Sequence, residues 1–157
     1  GSRLSVDAVV VGIGVTPNTE LASEAGLTVN GGIVVDEFGR TSSQNIWAAG
    51  DCATFPHEGE LIRIESVPHA IAQAENVALN ILGAERAYQA KPWFWSDQFS
   101  AKLQIAGLNR GFDRVTISAG GAADTLTVSY FKNRRLIAVD CLNDARAFMT
   151  AKRDLAL

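Results

Sequence analysis

The chain has 157 residues, 47% of them hydrophobic and 20% charged, which suits a globular protein with one sizeable core or two small ones. No apolar run approaches the roughly 20 residues that cross a membrane, and neither a membrane nor a nucleic acid is expected as a partner. The two cysteines, Cys52 and Cys141, lie far apart and form no disulfide framework, so a reduced, cytoplasmic setting is expected.

Charge is unevenly distributed along the chain. Residues 1–91 carry five Lys/Arg and eleven Asp/Glu, a net of −6, whereas residues 92–157 carry nine and six, a net of +3. Such asymmetry is compatible with a docking surface for an acidic partner, and equally with two modules whose surfaces are unrelated.

The N-terminal elements are predicted to be short and mostly apolar. The run VDAVVVGIG, residues 6–14, is rich in β-branched side chains and ends in glycines, which is typical of a strand buried on both faces. A Pro17-Asn18 turn then leads into a short helix over residues 19–25, which Gly26 ends.

Two further strands are predicted before residue 50. Asn30-Gly31 is a strong hairpin signal, with residues 33–35 as the return strand. The apolar run at residues 46–49 predicts another buried strand, and it ends abruptly in Gly50-Asp51. A loop containing Pro56 and Gly59 is expected to follow.

The clearest predicted helix begins after Ser66. Ser66 is a suitable N-cap, Pro68 is tolerated in the first turn, and Gly83 ends the pattern. The apolar positions at helical spacing are Val67, Ile71, Ala74, Ala78 and Ile81.

From Trp93 onward the pattern changes to short strands separated by turns, which predicts a small antiparallel α+β domain. The predicted strands cover residues 103–106, 115–118, 126–131 and 136–139. Asn143 is predicted to cap a final amphipathic helix with Ala145, Phe148, Met149 and Leu155 on its apolar side.

A carboxylate after Gly50 would lie at the carboxyl edge of the sheet, where open α/β sheets bind ligands. Gly50 has no Cβ and permits close approach, and Asp51 can accept hydrogen bonds from polyol hydroxyls. The next helix N-terminus favours a group that becomes anionic. A turn or a helix cap is the structural alternative for the same dipeptide. The sequence GIGVTP at residues 12–17 lacks the third glycine of a dinucleotide fingerprint and is interpreted as a tight strand exit.

Several motifs resemble those of flavoprotein reductases. IWAAGDCA resembles the second flavin-binding motif of the two-dinucleotide-fold reductases, and VDAVVVGIGVTPNTEL is similar to the strand that returns from their NAD(P) domain. IRIESVPHAIAQAENVA and PWFWSDQF resemble the oxygenase-coupled, putidaredoxin reductase-like NADH:ferredoxin reductases of the pyridine nucleotide-disulfide oxidoreductase superfamily. The resemblance covers essentially the whole chain, and its tryptophan motif is the narrower one.

The resemblance implies a role for five residues in binding FAD. Asp51 would bind the ribitol, Gly50 would allow close approach, and Val67 and Pro68 would lie against the pyrimidine end, with backbone N–H groups near its C2 carbonyl. Trp95 would lie near the isoalloxazine, with Trp93 as the fallback assignment. Plain packing roles are the alternatives for Val67, Pro68 and the aromatic residues.

The resemblance also implies a reaction. NADH would give a hydride to FAD, and reduced FAD would pass single electrons to a [2Fe-2S] ferredoxin. No catalytic side chain is expected, because hydride transfer to flavin needs no protein acid; His69 is expected to be structural or at the surface. No metal site is expected. Cationic side chains that could contact the ferredoxin are Lys102, Arg110, Arg134 and Arg135.

The resemblance implies a partial two-dinucleotide-binding flavoprotein fold followed by a small α+β C-terminal reductase domain. Residues 1–17 would be the return strand from the NAD domain, residues 18–91 the C-terminal segment of the FAD domain, and residues 92–157 the reductase domain. Neither glycine-rich fingerprint is present, so the partner includes a missing N-terminal portion of the same protein. The segment alone is predicted to be inactive and to bind FAD weakly or not at all.

Two alternatives remain open. One is a disulfide reductase of the same superfamily, although that group typically has a catalytic His-Pro pair in its last domain and no histidine follows His69 here. The other is a flavoprotein-derived interaction module without catalytic activity.

Overall fold

The computed structural model describes residues 2–120 and 124–157; Gly1 and residues 121–123, which fall in the first and last predicted segments, lie outside the described residues. The helices are α1 Glu20–Glu24, α2 Val67–Ile81 and α3 Ala145–Asp154. The strands are β1 Ile33–Val34, β2 Ala53–His57, β3 Glu60–Ile62, β4 Trp93–Gln98, β5 Ala101–Gly107, β6 Arg114–Ala119, β7 Leu126–Lys132 and β8 Arg135–Leu142.

The N-terminal half contains a three-stranded sheet of order β1-β2-β3. Strand β1 pairs with β2 in parallel, and β3 pairs with β2 antiparallel. Its core is formed by Val35, Ala53, Phe55 and Ile62. The burial of these four apolar side chains stabilises this small sheet, from which β3 leads on to α2.

The C-terminal half is a five-stranded antiparallel sheet of order β4-β5-β8-β7-β6. Helix α3 packs against β5 and β8, and the core beneath it contains Ala106, Val139, Cys141, Phe148 and Ala151. The predicted fold class, an α/β part followed by a small α+β part, is confirmed.

Two predicted buried strands are not strands here. Residues 6–11 form no strand and are exposed, with Val10 97% exposed, and in residues 46–49 only Trp47 makes a bridge, to Arg40. A strand buried on both faces needs neighbouring strands to satisfy its backbone N–H and C=O groups. The described part of this chain supplies no such neighbours.

Other parts of the N-terminal prediction hold in altered form. The turn at Asn30-Gly31 is present, but the hairpin shrinks to one bridge between Val29 and Ile33, and β1 pairs in parallel with β2 instead. The expected loop around Pro56 and Gly59 is the hairpin of β2 and β3, because Glu58 and Gly59 adopt the positive φ angles (49° and 86°) of a tight turn.

The C-terminal strands were predicted at the right places, and each of the four extends at least as far as predicted. Strand β4 was not predicted. Asp144, not Asn143, caps α3: its carboxylate accepts from the Ala147 N–H at 2.9 Å, while Asn143 Oδ1 accepts from the Lys102 N–H at 2.8 Å. Asn143 therefore ties α3's start to β5.

Helix α2 begins and ends as predicted, but its apolar stripe faces outward. Its buried side chains are His69, Gln73, Asn76, Val77 and Asn80, whereas Val67, Ile71, Ala74, Ala78 and Ile81 are exposed. Buried polar side chains need partners. The amides of Asn76 and Asn80 find them in main-chain carbonyls of Phe38 and Arg86.

Candidate functional site

The Gly50-Asp51 pair lies in a single turn of 3₁₀ helix, Gly50–Cys52, that leads directly into β2. Gly50 has φ 82°, a backbone conformation that favours glycine, and a Cβ at this position would be 3.4 Å from the Cβ of Ala70. Its N–H donates to Oε1 of Gln73 at 2.8 Å, and Gln73 is 1% exposed. The turn is therefore fixed against the first two turns of α2.

The side chain of Asp51 projects from this turn into solvent. The residue is exposed, and no described residue donates a hydrogen bond to its carboxylate; only its main-chain carbonyl is used, accepting from Arg63 at 3.0 Å. Arg63 in turn pairs with Glu65. Both carboxylate oxygens of Asp51 are thus free to accept hydrogen bonds from a ligand.

The start of α2 presents one free backbone donor. Ser66 Oγ accepts from the His69 N–H at 3.3 Å, and the Ala70 N–H donates to the Ser66 carbonyl. Pro68 has no N–H, so it cannot donate as expected from the sequence. Among the described residues no acceptor is found for the N–H of Val67, whose side chain is 61% exposed. This N–H and the helix dipole favour an anionic or carbonyl oxygen here.

His69, in the same turn, is buried and structural. Its ring stacks on Phe55 with centroids 5.1 Å apart, and its Nδ1 shares a hydrogen bond of 3.0 Å with the hydroxyl of Tyr88. Burial lowers the pKa of His69, while Asp51 and Gln73 oppose the shift. Burial also raises the pKa of Tyr88 to about 12. This pair could not be predicted from the sequence, because Tyr88 lies in a segment without periodicity.

Trp93 and Trp95 alternate along β4 and stack on each other with centroids 5.5 Å apart. Trp93 packs against Phe148 in the core, and the Nζ of Lys152 lies 4.0 Å from its ring centroid. Trp95 is 38% exposed. Helix α2 contacts β4, so the tryptophan strand lies beside the helix that carries Val67 and Pro68.

The cations proposed as partner contacts divide between two ends of the sheet. Arg110, Arg134 and Arg135 lie in the loop after β5 and at the β7–β8 turn, together with Lys132. Lys102 lies opposite Asp97 in the β4–β5 strand pair, next to the turn at the other end of the sheet. Lys152 was not among the candidate cations predicted from the sequence, and it lies next to the tryptophan pair only in the folded structure.

A cleft in the described part of the chain lies elsewhere. It has a volume of about 650 Å³, and its walls come from the β2–β3 hairpin and from the Arg110, Lys132 and Arg135 end of the sheet. The five predicted FAD-binding residues do not line it. Of these five residues, Asp51, Val67 and Trp95 are exposed at the protein surface.

Within residues 2–120 and 124–157, no cluster of three or more histidine, cysteine or acidic side chains could hold a metal ion. The same residues include no helix that is both long and apolar enough to span a membrane.

Two protein-family models match the chain, in the order expected from the motifs. Residues 1–74 match the family described as pyridine nucleotide-disulphide oxidoreductase, and residues 93–156 match the family described as reductase C-terminal. The resemblance to flavoprotein ferredoxin reductases inferred from the motifs is confirmed by these two matches together with the relatives below.

Individual relatives extend that similarity over nearly the whole chain. Rhodocoxin reductase from Rhodococcus erythropolis is 44% identical over 99% of this chain, and putidaredoxin reductase from Pseudomonas putida is 43% identical over 98%. A crystal structure of a covalent putidaredoxin reductase–putidaredoxin complex superposes with a TM-score of 0.88 at 42% identity, covering 99% of this chain and 38% of that one. The chain spans 37% of the length of each of the two curated relatives.

Proposed function

We propose that this chain is part of an FAD-dependent oxidoreductase that passes electrons from NADH through FAD to a [2Fe-2S] ferredoxin. The observation that carries the proposal is the Gly50-Asp51 turn, locked by Gln73 and Ala70 against the start of α2. Relatives named as ferredoxin, rhodocoxin and putidaredoxin reductases support it.

The residues at this site fit one end of FAD. Asp51 offers a free carboxylate to the hydroxyls of the ribitol, and Gly50, with φ 82°, gives the turn the backbone conformation that presents this side chain to solvent. The free N–H of Val67 suits a carbonyl oxygen of the ring, and Pro68 gives the pyrimidine end an apolar contact. Trp95, with its exposed face, is proposed to lie near the isoalloxazine.

In this account FAD supplies hydride acceptance and single-electron release, and the chain's own residues bind and orient it. The α2 dipole stabilises negative charge near its first turn by about 0.3–1 kcal/mol at exposed sites. The domain division at residues 17 and 91 is part of the same proposal: residues 18–91 complete the FAD domain, and residues 92–157 are the reductase domain.

A lysine next to the tryptophans supports an acidic ferredoxin as the electron acceptor. Lys152 stands over Trp93, and Trp93 stacks on the exposed Trp95. The net charge of +3 over residues 92–157 would steer an acidic partner toward this half of the chain.

The test is electron transfer by the longer natural polypeptide that contains this segment. Purified with FAD, it is expected to reduce a [2Fe-2S] ferredoxin with NADH and to leave a disulfide substrate unreduced. Lys152→Glu should lower kcat/KM for the ferredoxin and leave NADH-dependent reduction of a small neutral dye unchanged, with Lys91→Glu as the charge-matched control. A polypeptide that holds no FAD, or that reduces only the disulfide, would contradict the proposal.

A further inference from the structure

His69 combines near-complete burial with a ring nitrogen that has no partner. The residue is 3% exposed, Nδ1 is occupied by the Tyr88 hydroxyl, and Nε2 is buried without a hydrogen bond to any described residue. Buried polar atoms are normally satisfied, so an unpaired one calls for an explanation. The position of His69 next to the Gly50-Asp51 turn suggests a role for this unpaired ring nitrogen.

The first two turns of α2 connect His69 with that turn. Ala70, the next residue, lies on the side of Gly50 where a Cβ would be, 3.4 Å from that position, and Gln73, one turn later, accepts the Gly50 N–H. The carboxylate of Asp51 is close enough to interact electrostatically with the His69 ring. A displacement of the ring would therefore move the main chain that carries the candidate site.

The surroundings of the ring favour its neutral form. Phe55 of β2 lies flat against it with an interplanar angle of 17°, and Tyr88 lies 5.6 Å from it, centroid to centroid. The titratable or polar groups that face it are Asp51 from the 3₁₀ turn, Tyr88 from the segment after α2, and Gln73 from its own helix. The desolvation of the ring outweighs the attraction of Asp51, so the pKa is lowered.

We propose that His69 is a positioning residue of the cofactor site, whose neutral imidazole holds the start of α2 on the Gly50-Asp51 turn and whose protonation loosens that contact and weakens FAD binding. The FAD-binding part rests on the proposed function. The link between the ring and the turn does not, because it concerns residues within this chain alone.

The link is tested by NMR on the 157-residue chain. Its only histidines are His57 and His69, so the ring signals are assigned by comparison with His57→Asn. As the pH falls below 6.5, the amide signals of Gly50, Asp51 and Ala70 should shift with the same midpoint as the His69 ring. His69→Asn should abolish that component of the shift.

Three outcomes would overturn the link. The amides of Gly50 and Asp51 could remain still while His69 titrates, their shift could persist in His69→Asn, or the ring could stay neutral until the chain unfolds. The first and third need only wild-type protein, so a His69→Asn chain that fails to fold leaves the test intact.

The consequence for the cofactor is measured on the longer natural polypeptide. The Kd for FAD should rise as the pH falls below 6.5, by at most about tenfold per pH unit, in wild type and in His57→Asn, and should be nearly flat in His69→Asn. A pH-independent Kd in wild type would contradict the proposal. Failure to bind FAD at pH 8 would contradict the proposed function instead, and the NMR result would still decide the role of His69.

Discussion

Gln73 is the side chain that holds the Gly50-Asp51 turn in place. Its amide oxygen is the acceptor for a buried main-chain N–H, and the residue is almost completely inaccessible. Since a buried donor without a partner costs about 1–3 kcal/mol, substitutions of Gln73 that remove its amide oxygen are expected to destabilise the chain.

Gln73→Leu keeps the volume of the side chain and removes its acceptor. We expect the free energy of unfolding to fall by about 1–3 kcal/mol. Urea denaturation followed by circular dichroism measures it. The control is Gln98→Leu at an exposed position of β4, which should change stability by less than about 0.5 kcal/mol. Equal effects of the two substitutions would show that the Gly50 N–H does not depend on Gln73.

Tyr88 gives the chain an alkaline pH dependence. Its folded pKa is raised to about 12 from an ordinary value of 10, so between these values the unfolded state has released the proton and the folded state has kept it. Folding stability should therefore decline as the pH rises above 10. Urea denaturation at pH 9, 10 and 11 should show a smaller decline for Tyr88→Phe than for wild type. An identical decline would place the titrating group elsewhere, for example at Tyr130.

At the scale of elements, α2 brings the two parts of the candidate site together. Its N-cap is Ser66, its first turn carries Val67 and Pro68, and its side contacts β4. The helix was predictable because the cap, the proline and the terminating glycine are local signals. The side that α2 buries could not be predicted. That side is polar, and its hydrogen-bond partners, such as Phe38 and Arg86, lie in other segments that only the folded structure brings next to it.

The difference between local sequence signals and tertiary contacts also explains which other predictions from the sequence were right and which were wrong. Strands β5 to β8 have alternating patterns and turn residues, so their places could be predicted, whereas β4 begins with three consecutive aromatic residues and shows no alternation. The predicted strands at residues 6–11 and 46–49 have a strand's composition, but strand structure also needs neighbouring strands, which the described part of the chain does not supply. The Gly-Asp motif located the candidate site, yet His69, Tyr88 and Lys152 join it only through tertiary contacts.

Ser66→Ala removes the hydroxyl that caps α2 and should cost about 1 kcal/mol of stability. The control is Ser5→Ala, in an exposed segment outside any helix or strand, which should have no measurable effect. Chemical denaturation compares the two. In Ser66→Ala the NMR signals of the first turn of α2 should also lose protection from hydrogen exchange, and unchanged protection would show that the cap is dispensable.

At the scale of the whole molecule, the chain exposes an unusual amount of apolar surface. Val9, Val10, Val11 and Ile13 all project from the N-terminal segment, and Ile71 and Ile81 from the outward side of α2. Large exposed apolar patches mark contacts with other polypeptide. The chain's similarity to little more than a third of each relative's length agrees with a missing partner surface.

Val10→Lys combined with Ile13→Lys should therefore reduce self-association of the 157-residue chain without lowering its free energy of unfolding. Analytical ultracentrifugation and urea denaturation measure the two quantities. Val35→Lys is the contrasting variant, because Val35 is buried in the N-terminal core and the added charge should prevent folding of that half. Unchanged association in the double variant would assign it to another surface, such as the edge strand β6.

FAD binding by the longer natural polypeptide tests the central claim most directly, with wild type compared against Asp51→Ala and, as a control at the far end of the C-terminal sheet, Asp124→Ala. Hydrogen bonds to a charged group are worth about 1.5–3 kcal/mol, so Asp51→Ala should raise the Kd for FAD by roughly 10- to 150-fold, while Asp124→Ala should leave it unchanged. The 157-residue chain alone should bind FAD weakly or not at all. Tight binding that persists in Asp51→Ala would contradict the assignment of this aspartate to the flavin's sugar-alcohol chain, and with it the account of the site.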